Sequence, residues 1–172
     1  MTIAINTPIR PRRLCVSGGS RLSTNAALLM KELGGLLAES EGIVVITGGL
    51  AGFADEPDAL TADRMFIEGM MRQLQTHGIP AEVRIETFLP DPRHDWDKLI
   101  RFKEGRVRPL NRRNAQSRRF SMVYSADVVL AVEGEIGTKS VLDVALAIER
   151  PVLPLPFGGG MSEQVWREQR ED

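Results

Sequence analysis

The chain has 172 residues, of which 42% are apolar and 26% charged, as in a single globular domain with a full core. Its net charge of −1 gives no general attraction for nucleic acid or an anionic membrane. No run is apolar enough to span a bilayer or to serve as a signal peptide, so we expect a cytoplasmic protein without a membrane partner. The lone cysteine, Cys15, excludes an intrachain disulfide and is expected in the core.

The first part of the chain reads as two buried strands, each followed by a glycine turn. Residues 1–12 are expected to form an arm. The first predicted strand is Arg13–Ser17 with its turn at Gly18, Gly19 and Ser20, and a helix follows with a face of leucines: Leu29, Leu33, Leu36 and Leu37. The second strand is Ile43–Ile46, and residues 47–52 form the second glycine turn.

The middle of the chain predicts a methionine-rich helix over Leu60–Gln75 and a third, alternating strand over Ala81–Leu89. Residues 90–110 contain three prolines and are predicted to be an irregular loop. Residues 93–119 include ten basic and three acidic residues, a local excess of seven positive charges. This segment is the main cationic region of an otherwise balanced sequence.

The last part of the chain contains the clearest strand–turn–helix pattern. A helix over Asn114–Tyr124 leads into an apolar strand, Val128–Val132, and a glycine turn follows that strand. Another strand is predicted at Val152–Leu155 after a helix that ends before Pro151. Residues 161–172 are expected to be a tail or linker, leading to a further domain in a longer parent protein.

Alternating strands and helices predict an α/β fold with a mainly parallel sheet of five or more strands and helices on both faces, spanning residues 13–160. The three glycine turns then lie at one edge, because the carboxyl ends of parallel strands meet there. Backbone amides at such turns hold phosphate or carboxylate groups. The donors expected from the third turn come from residues at the start of its helix: Gly134, Glu135, Ile136, Gly137 and Thr138.

Other kinds of site find little support in the sequence. No dinucleotide G-x-G-x-x-G, Walker A or G-x-S-x-G motif is present, which disfavours a dehydrogenase, a P-loop NTPase and a serine hydrolase. His77 and His94 are far apart and give no zinc signature with Cys15, so no metal site is expected. The expected cation at the glycine turns is Arg118, with Arg119 or Arg113 beside it, since guanidinium groups bind phosphate in a bidentate manner. Nucleic acid is a less favoured partner, because aromatic residues are few.

The runs SRRFSMVYSADVVLAVEGEIGT and TGGLAGF resemble the LOG family of cytokinin-activating phosphoribohydrolases and the wider SLOG superfamily. Arg118 matches the family arginine, Met122 its methionine, and Asp127 its Ala-Asp pair. Gly134, Gly137 and Thr138 fall on the Pro-Gly-Gly-x-Gly-Thr-x-x-Glu motif, and the first two glycine turns are also similar. The resemblance implies a Rossmann-like nucleotide-binding domain over roughly residues 13–160.

The sequence departs from the LOG motif at three positions. Glu133 stands in place of the proline, Glu135 in place of the second glycine, and Val141 in place of the glutamate. In the LOG enzymes that glutamate works with the arginine in cleaving the ribosyl–base bond, and valine can neither accept a proton nor stabilise a developing cation. SLOG domains outside the LOG enzymes are implied to be ligand sensors, often attached to effector domains in bacterial immunity.

The leading hypothesis is therefore a sensor domain that binds a nucleotide or an NAD- or ADP-ribose-derived ligand, without catalytic residues or a separate cofactor. Backbone donors are expected from Gly18, Gly19, Ser20, Gly48, Gly49 and the third turn, and Glu133 or Glu135 would accept a bond from a ribose hydroxyl. The alternative is a divergent nucleoside 5′-monophosphate phosphoribohydrolase. The resemblance also implies a homo-oligomer. The Leu60–Gln75 helix has more apolar residues than one buried stripe requires, so we expect this helix or the Asn114–Tyr124 helix near the interface.

Overall fold

The computed structural model describes residues 10–94 and 98–171, so residues 1–9 of the expected arm lie outside the described ranges. Strands and helices alternate along these ranges. In chain order they are β1 Arg12–Gly18, α1 Thr24–Glu39, β2 Ile43–Thr47, β3 Leu50–Phe53, α2 Ala62–Thr76, β4 Ile85–Pro90, β5 Leu99–Arg101, β6 Arg106–Leu110, α3 Ala115–Ser125, β7 Val128–Val132, α4 Ile136–Ala147, β8 Val152–Leu155 and α5 Gly160–Glu171.

Six strands form one parallel sheet in the order β6-β4-β2-β1-β7-β8, which confirms the predicted fold class. The chain starts on β1 in the middle, builds outward to β6, and returns on the other side of β1 with β7 and β8. The order therefore reverses between β1 and β7. Ligands of open α/β sheets bind at such a reversal, beyond the carboxyl ends of the strands.

Side chains alternate between the two faces of the sheet and divide the core in two. Leu14 and Val16 of β1 face α1 and α2, whereas Cys15 between them faces α3 and α4. Burial raises the pKa of the Cys15 thiol, and its complete burial confirms the predicted core position. Helix α5 covers the end of this second face through Val165. No helix within the described ranges has the length and apolarity of a membrane span.

Helices α1 and α2 pack through glycine, and the predicted leucine face of α1 is wrong in part. Leu36 is 61% exposed, whereas the buried positions of α1 are Ala26, Ala27, Met30, Gly34 and Ala38. A Cβ atom on Gly34 would overlap the Phe66 carbonyl of α2, and one on Gly69 would overlap the Lys31 carbonyl of α1. The close contact of two backbones thus selects small residues, which a search for leucine periodicity overlooks.

Two predictions between residues 81 and 110 are also wrong. The third strand begins only at Ile85, because residues 81–83 form a short 3₁₀ turn with Val83 55% exposed. The predicted irregular loop contains β5, which pairs antiparallel with β3, and β6, which pairs parallel with β4 at the edge of the sheet. Strand β6 is mostly exposed and includes Pro109, which an edge position tolerates, so its sequence lacks the apolar pattern of a buried strand.

Residues 160–171 form a helix that closes over the end of β7. Ser162 is fully buried and its hydroxyl donates to the Leu155 carbonyl at 2.8 Å. The amides of Met161 and Ser162 donate to the carbonyls of Gly134 and Glu133, at 2.9 and 3.2 Å. The start of α5 is therefore attached to the turn after β7, and a further domain beyond it stays a prediction.

Candidate functional site

The loops that follow β1 and β7 touch each other at the reversal of strand order. The Gly19 amide donates to the Val132 carbonyl at 3.0 Å. A Cβ atom on Gly18 would lie 2.6 Å from that same oxygen, and one on Gly19 would lie 3.5 Å from the Gly134 nitrogen. The Gly19 carbonyl in turn accepts from the amide of Ala62 at the start of α2. Two of the predicted glycine turns and the start of α2 thus converge on one small area.

Most donors of the β1–α1 loop are already engaged within the protein. The Gly19 amide bonds to Val132, the Leu22 amide donates to the Leu60 carbonyl at 2.8 Å, and the Ser23 amide faces the Glu133 carboxylate at 3.2 Å. Gly18 and Ser20 are partly exposed beside them. Phosphate binding by Gly18, Gly19 and Ser20 stays a prediction, and the Gly19 amide would have to leave Val132 to take part.

Glu133 directs its carboxylate inward, at the N-terminus of α1. Its backbone has a φ of +47°, and the residue is 8% exposed. Its Oε1 accepts from the Ser23 hydroxyl at 2.6 Å. A Cβ atom on Gly158 would overlap this carboxylate from the other side. The hypothesis that Glu133 accepts a bond from a ribose hydroxyl therefore has to compete with Ser23, whereas Glu135 is exposed.

The N-terminus of α4 is open toward the edge of the sheet. Side-chain oxygens cap the first turns of α1, α2 and α3, but Glu135 at the N-cap of α4 makes no such bond. Within the described ranges, the amides of Ile136, Gly137 and Thr138 have no intramolecular acceptor. These amides lie at the positive end of the helix dipole. The arrangement suits a bound anion.

Three arginines surround the loop after β2 and the start of α4. Arg118 of α3 is 8% exposed and donates to the Gly48 carbonyl at 2.8 Å, and Arg101 of β5 donates to the same oxygen at 3.2 Å. A Cβ atom on Gly48 would lie 3.0 Å from Nη1 of Arg118. A Cβ atom on Gly137 would lie 3.0 Å from Nη2 of Arg119. Burial, with Arg101 nearby, lowers the pKa of Arg119.

Asp63, on the first turn of α2, is a residue of this site that the sequence analysis missed. Its carboxylate accepts from the Leu50 amide at 2.9 Å. Burial raises the pKa of Asp63, and this effect outweighs the Leu50 bond and the charges of Arg118 and Arg101. No sequence motif marks Asp63 or Arg101. Arg101 reaches the site through the pairing of β5 with β3, and Asp63 through its bond from the Leu50 amide at the start of β3.

Val141, which stands where LOG enzymes have the glutamate, lies in the core. It is 2% exposed and packs in one cluster with Cys15, Ile46 and Met122. The valine therefore supports the contact of α3 and α4 with the sheet. In residues 10–94 and 98–171, no three His, Cys, Asp or Glu side chains come together as a metal site requires.

Comparison with known proteins relates the chain to others by structure alone. No family model matches the sequence, and no curated protein matches it. The structure of TM1055 is 24% identical with a TM-score of 0.59, over 90% of this chain and 79% of that one. The molybdenum cofactor binding protein from the phototrophic bacterium Rippkaea orientalis is 20% identical with a TM-score of 0.59, over 95% and 86%.

A third similar structure is DNA processing protein A from Helicobacter pylori, a protein that binds single-stranded DNA. It is 15% identical with a TM-score of 0.61, over 94% of this chain and 74% of that one. These likenesses show the fold alone: all three structures share the Rossmann-like α/β architecture of this chain, so the fold that the resemblance implies is confirmed.

Proposed function

We propose that this chain is a binding module for a small phosphate-bearing ligand derived from a nucleotide. The ligand binds at the carboxyl edge of the sheet, between Gly48 and the first turn of α4. The observation that carries the proposal is the placement of Arg119 beside Gly137, at a helix N-terminus that no side chain caps. We include Gly49 and Thr138, which the sequence predicts as ligand contacts, in the proposed site.

Electrostatics supports an anion at this place. Arg119 is partly buried next to Arg101, and among the described residues it has no carboxylate partner, only the Gln116 amide oxygen at 3.0 Å. Arg101 lies close enough to Arg119 to lower its pKa, so an anion bound here would be stabilised by the positive charge of both groups. The amides of the α4 first turn add donors aimed at the same charge.

The ligand class follows from the resemblance and from the neighbours. The resemblance favours a nucleotide or an NAD- or ADP-ribose-derived signal, sensed in the cytoplasm and passed to an effector domain in bacterial immunity. The Rippkaea orientalis neighbour adds the molybdenum cofactor as a cargo to test. The Helicobacter pylori neighbour adds single-stranded DNA. All of these ligands carry phosphate groups. Each of them is to be tested for binding at the same edge of the sheet.

A single experiment separates binding from hydrolysis. The purified protein is titrated with AMP and with ADP-ribose by calorimetry, and the recovered nucleotides are analysed by chromatography after prolonged incubation. We expect heat of binding and unchanged nucleotide, since Val141 supplies no carboxylate. No binding of either compound, or of the molybdenum cofactor and single-stranded DNA in the same assay, would contradict the proposal.

One observation favours the phosphoribohydrolase alternative. Asp63 is a carboxyl group with a raised pKa near Arg118 and Arg101, and a general acid needs such a pKa. Release of free base from AMP that disappears in Asp63→Asn would establish this alternative. The exposed Glu135 provides the matched control, because Glu135→Gln removes a carboxylate from the same edge without touching the Leu50 loop.

We also propose that the chain forms a homo-oligomer through α3. The apolar residues of α2 are buried against α1, so α2 has little apolar surface left for contact with a second copy of the chain. On the outer face of α3, Phe120 and Tyr124 are 40% and 64% exposed and line a shallow groove with Ser117 and Ser121. We expect light scattering at micromolar concentration to give a multiple of the chain mass, and Tyr124→Asp to reduce it. A monomeric parent would contradict this.

A further inference from the structure

Glu133 has a role that neither the glycine motif nor the arginine cluster explains. Strands β1 and β7 are neighbours, so the N-termini of α1 and α4 open side by side at the reversal of strand order. Two such N-termini side by side suit a ligand with two linked phosphates, one phosphate at each helix. The N-terminus of α4 is open, but the N-terminus of α1 already holds the Glu133 carboxylate.

That carboxylate is held firmly in place. Glu133 accepts from the Ser23 hydroxyl at 2.6 Å and from the Ser23 amide at 3.2 Å, so it engages both donors of the residue that caps α1. Ser23 also caps α1 by accepting from the Ala26 amide at 3.3 Å. Gly158 closes the opposite side, where a Cβ atom would overlap Oε1 of Glu133.

The backbone around Glu133 holds the side chain in this direction. Its left-handed φ of +47° is uncommon for a residue with a side chain and costs free energy. The Ser162 amide of α5 donates to the Glu133 carbonyl at 3.2 Å, and the Gly19 amide bonds to the preceding carbonyl. These contacts from two other elements fix the peptide groups on both sides of the residue.

We propose that Glu133 is a specificity-determining residue: its carboxylate fills the anion position at α1 and restricts the ligand to one phosphate group, bound at α4. The inference rests on the proposed function, because it needs a phosphate at the first turn of α4. It selects among the proposed ligands, favouring phosphate monoesters over diphosphates such as ADP-ribose. A second phosphate at α1 would meet a buried negative charge and find the Ser23 donors engaged.

Inorganic phosphate and pyrophosphate test the proposed restriction to one phosphate group without a choice of nucleobase. In the parent protein, calorimetry should show pyrophosphate binding no tighter than phosphate despite its greater charge. In Glu133→Gln, pyrophosphate affinity should rise by about tenfold or more, the size of one charged hydrogen-bonded contact, while phosphate affinity changes little. Glu135→Gln is the matched control, because it removes the same charge from the same turn without opening α1.

The possible outcomes separate the two proposals. A parent that binds neither anion overturns the proposed function and this inference with it. A parent that binds phosphate, but binds pyrophosphate more than about tenfold tighter, overturns the inference alone and needs no variant to fold. Equal gains in pyrophosphate affinity for Glu133→Gln and Glu135→Gln also overturn it. In the parent, amide NMR should show pyrophosphate shifting Gly137 and leaving Ser23 unchanged, and a shift at Ser23 would contradict the proposal.

Discussion

Gly34→Ala should lower the free energy of unfolding by about 3 kcal/mol, at the upper end of the usual cost of overpacking. The new methyl group would overlap the Phe66 carbonyl of α2, and a backbone atom cannot rotate away as a side chain can. Helices α1 and α2 would have to move apart and loosen the packing around Met30 and Phe66, both fully buried. The melting temperature should fall by roughly 6–12 °C, which calorimetry measures directly.

The neighbouring glycine provides the control for this prediction. A Cβ atom on Gly35 would lie 3.6 Å from Cγ of Gln73, an ordinary contact. Alanine is the better helix former, so Gly35→Ala should stabilise the protein by about 0.5–1 kcal/mol. Two adjacent Gly→Ala changes are thus expected to have opposite signs. Equal effects of the two changes would mean that α1 and α2 do not approach as closely as the structure shows.

Arg118→Ala should weaken the binding of a phosphate ligand such as AMP by about 1.5–3 kcal/mol, the value of a hydrogen bond to a charged group. This corresponds to a roughly 10- to 150-fold loss of affinity. Arg118 lies against Gly48 and, with Arg101, holds the carbonyl of the β2–β3 loop. The substitution removes a positive charge from the site and one of the donors that fix its wall.

Two further substitutions distinguish charge from position at this site. Arg118→Lys keeps the charge but loses the planar fork, so it should recover only part of the affinity. Arg106 is exposed at the start of β6, the end of the strand away from the site, and Arg106→Ala should leave affinity unchanged while altering net charge equally. Calorimetric titration of the three variants against AMP, with circular dichroism to verify folding, measures these effects. Equal affinity of Arg118→Ala and the parent would remove Arg118 from the site.

A preference for one phosphate would bear on the proposed sensing role. The resemblance to SLOG domains covers both nucleotide and ADP-ribose signals, and the glycine turns alone do not choose between them. Glu133, which replaces the motif proline, separates these ligands by their phosphate number. The backbone carbonyl of Glu133 also accepts from the Ser162 amide, which attaches α5 to this turn. Any movement of this turn on ligand binding would therefore reach the last helix of the described chain.

The sequence by itself determined the class of fold and the edge of the sheet at which the glycine turns lie. The strand Val128–Val132 has the predicted bounds, because a short run of β-branched and apolar residues without polar alternation is typical of a strand buried on both faces. The glycine turns after β1, β2 and β7 lie at one edge of the sheet, because the strands are parallel and their carboxyl ends point to the same edge. Helix α3, with Arg118 on its buried side, follows from its Asn114 cap and its apolar spacing.

The tertiary structure decided the features that depend on contacts between distant segments. Glycines at the α1–α2 contact carry no hydrophobic signal, although backbone approach makes them the tightest positions of that interface. Arg101 and Asp63 enter the site through the pairing of β3 with β5 and the bond from Leu50, neither of which has a local pattern. The direction of the Glu133 carboxylate depends on Ser23, which lies 110 residues earlier in the chain. Local propensities describe each segment, whereas only packing brings the charges of distant segments together.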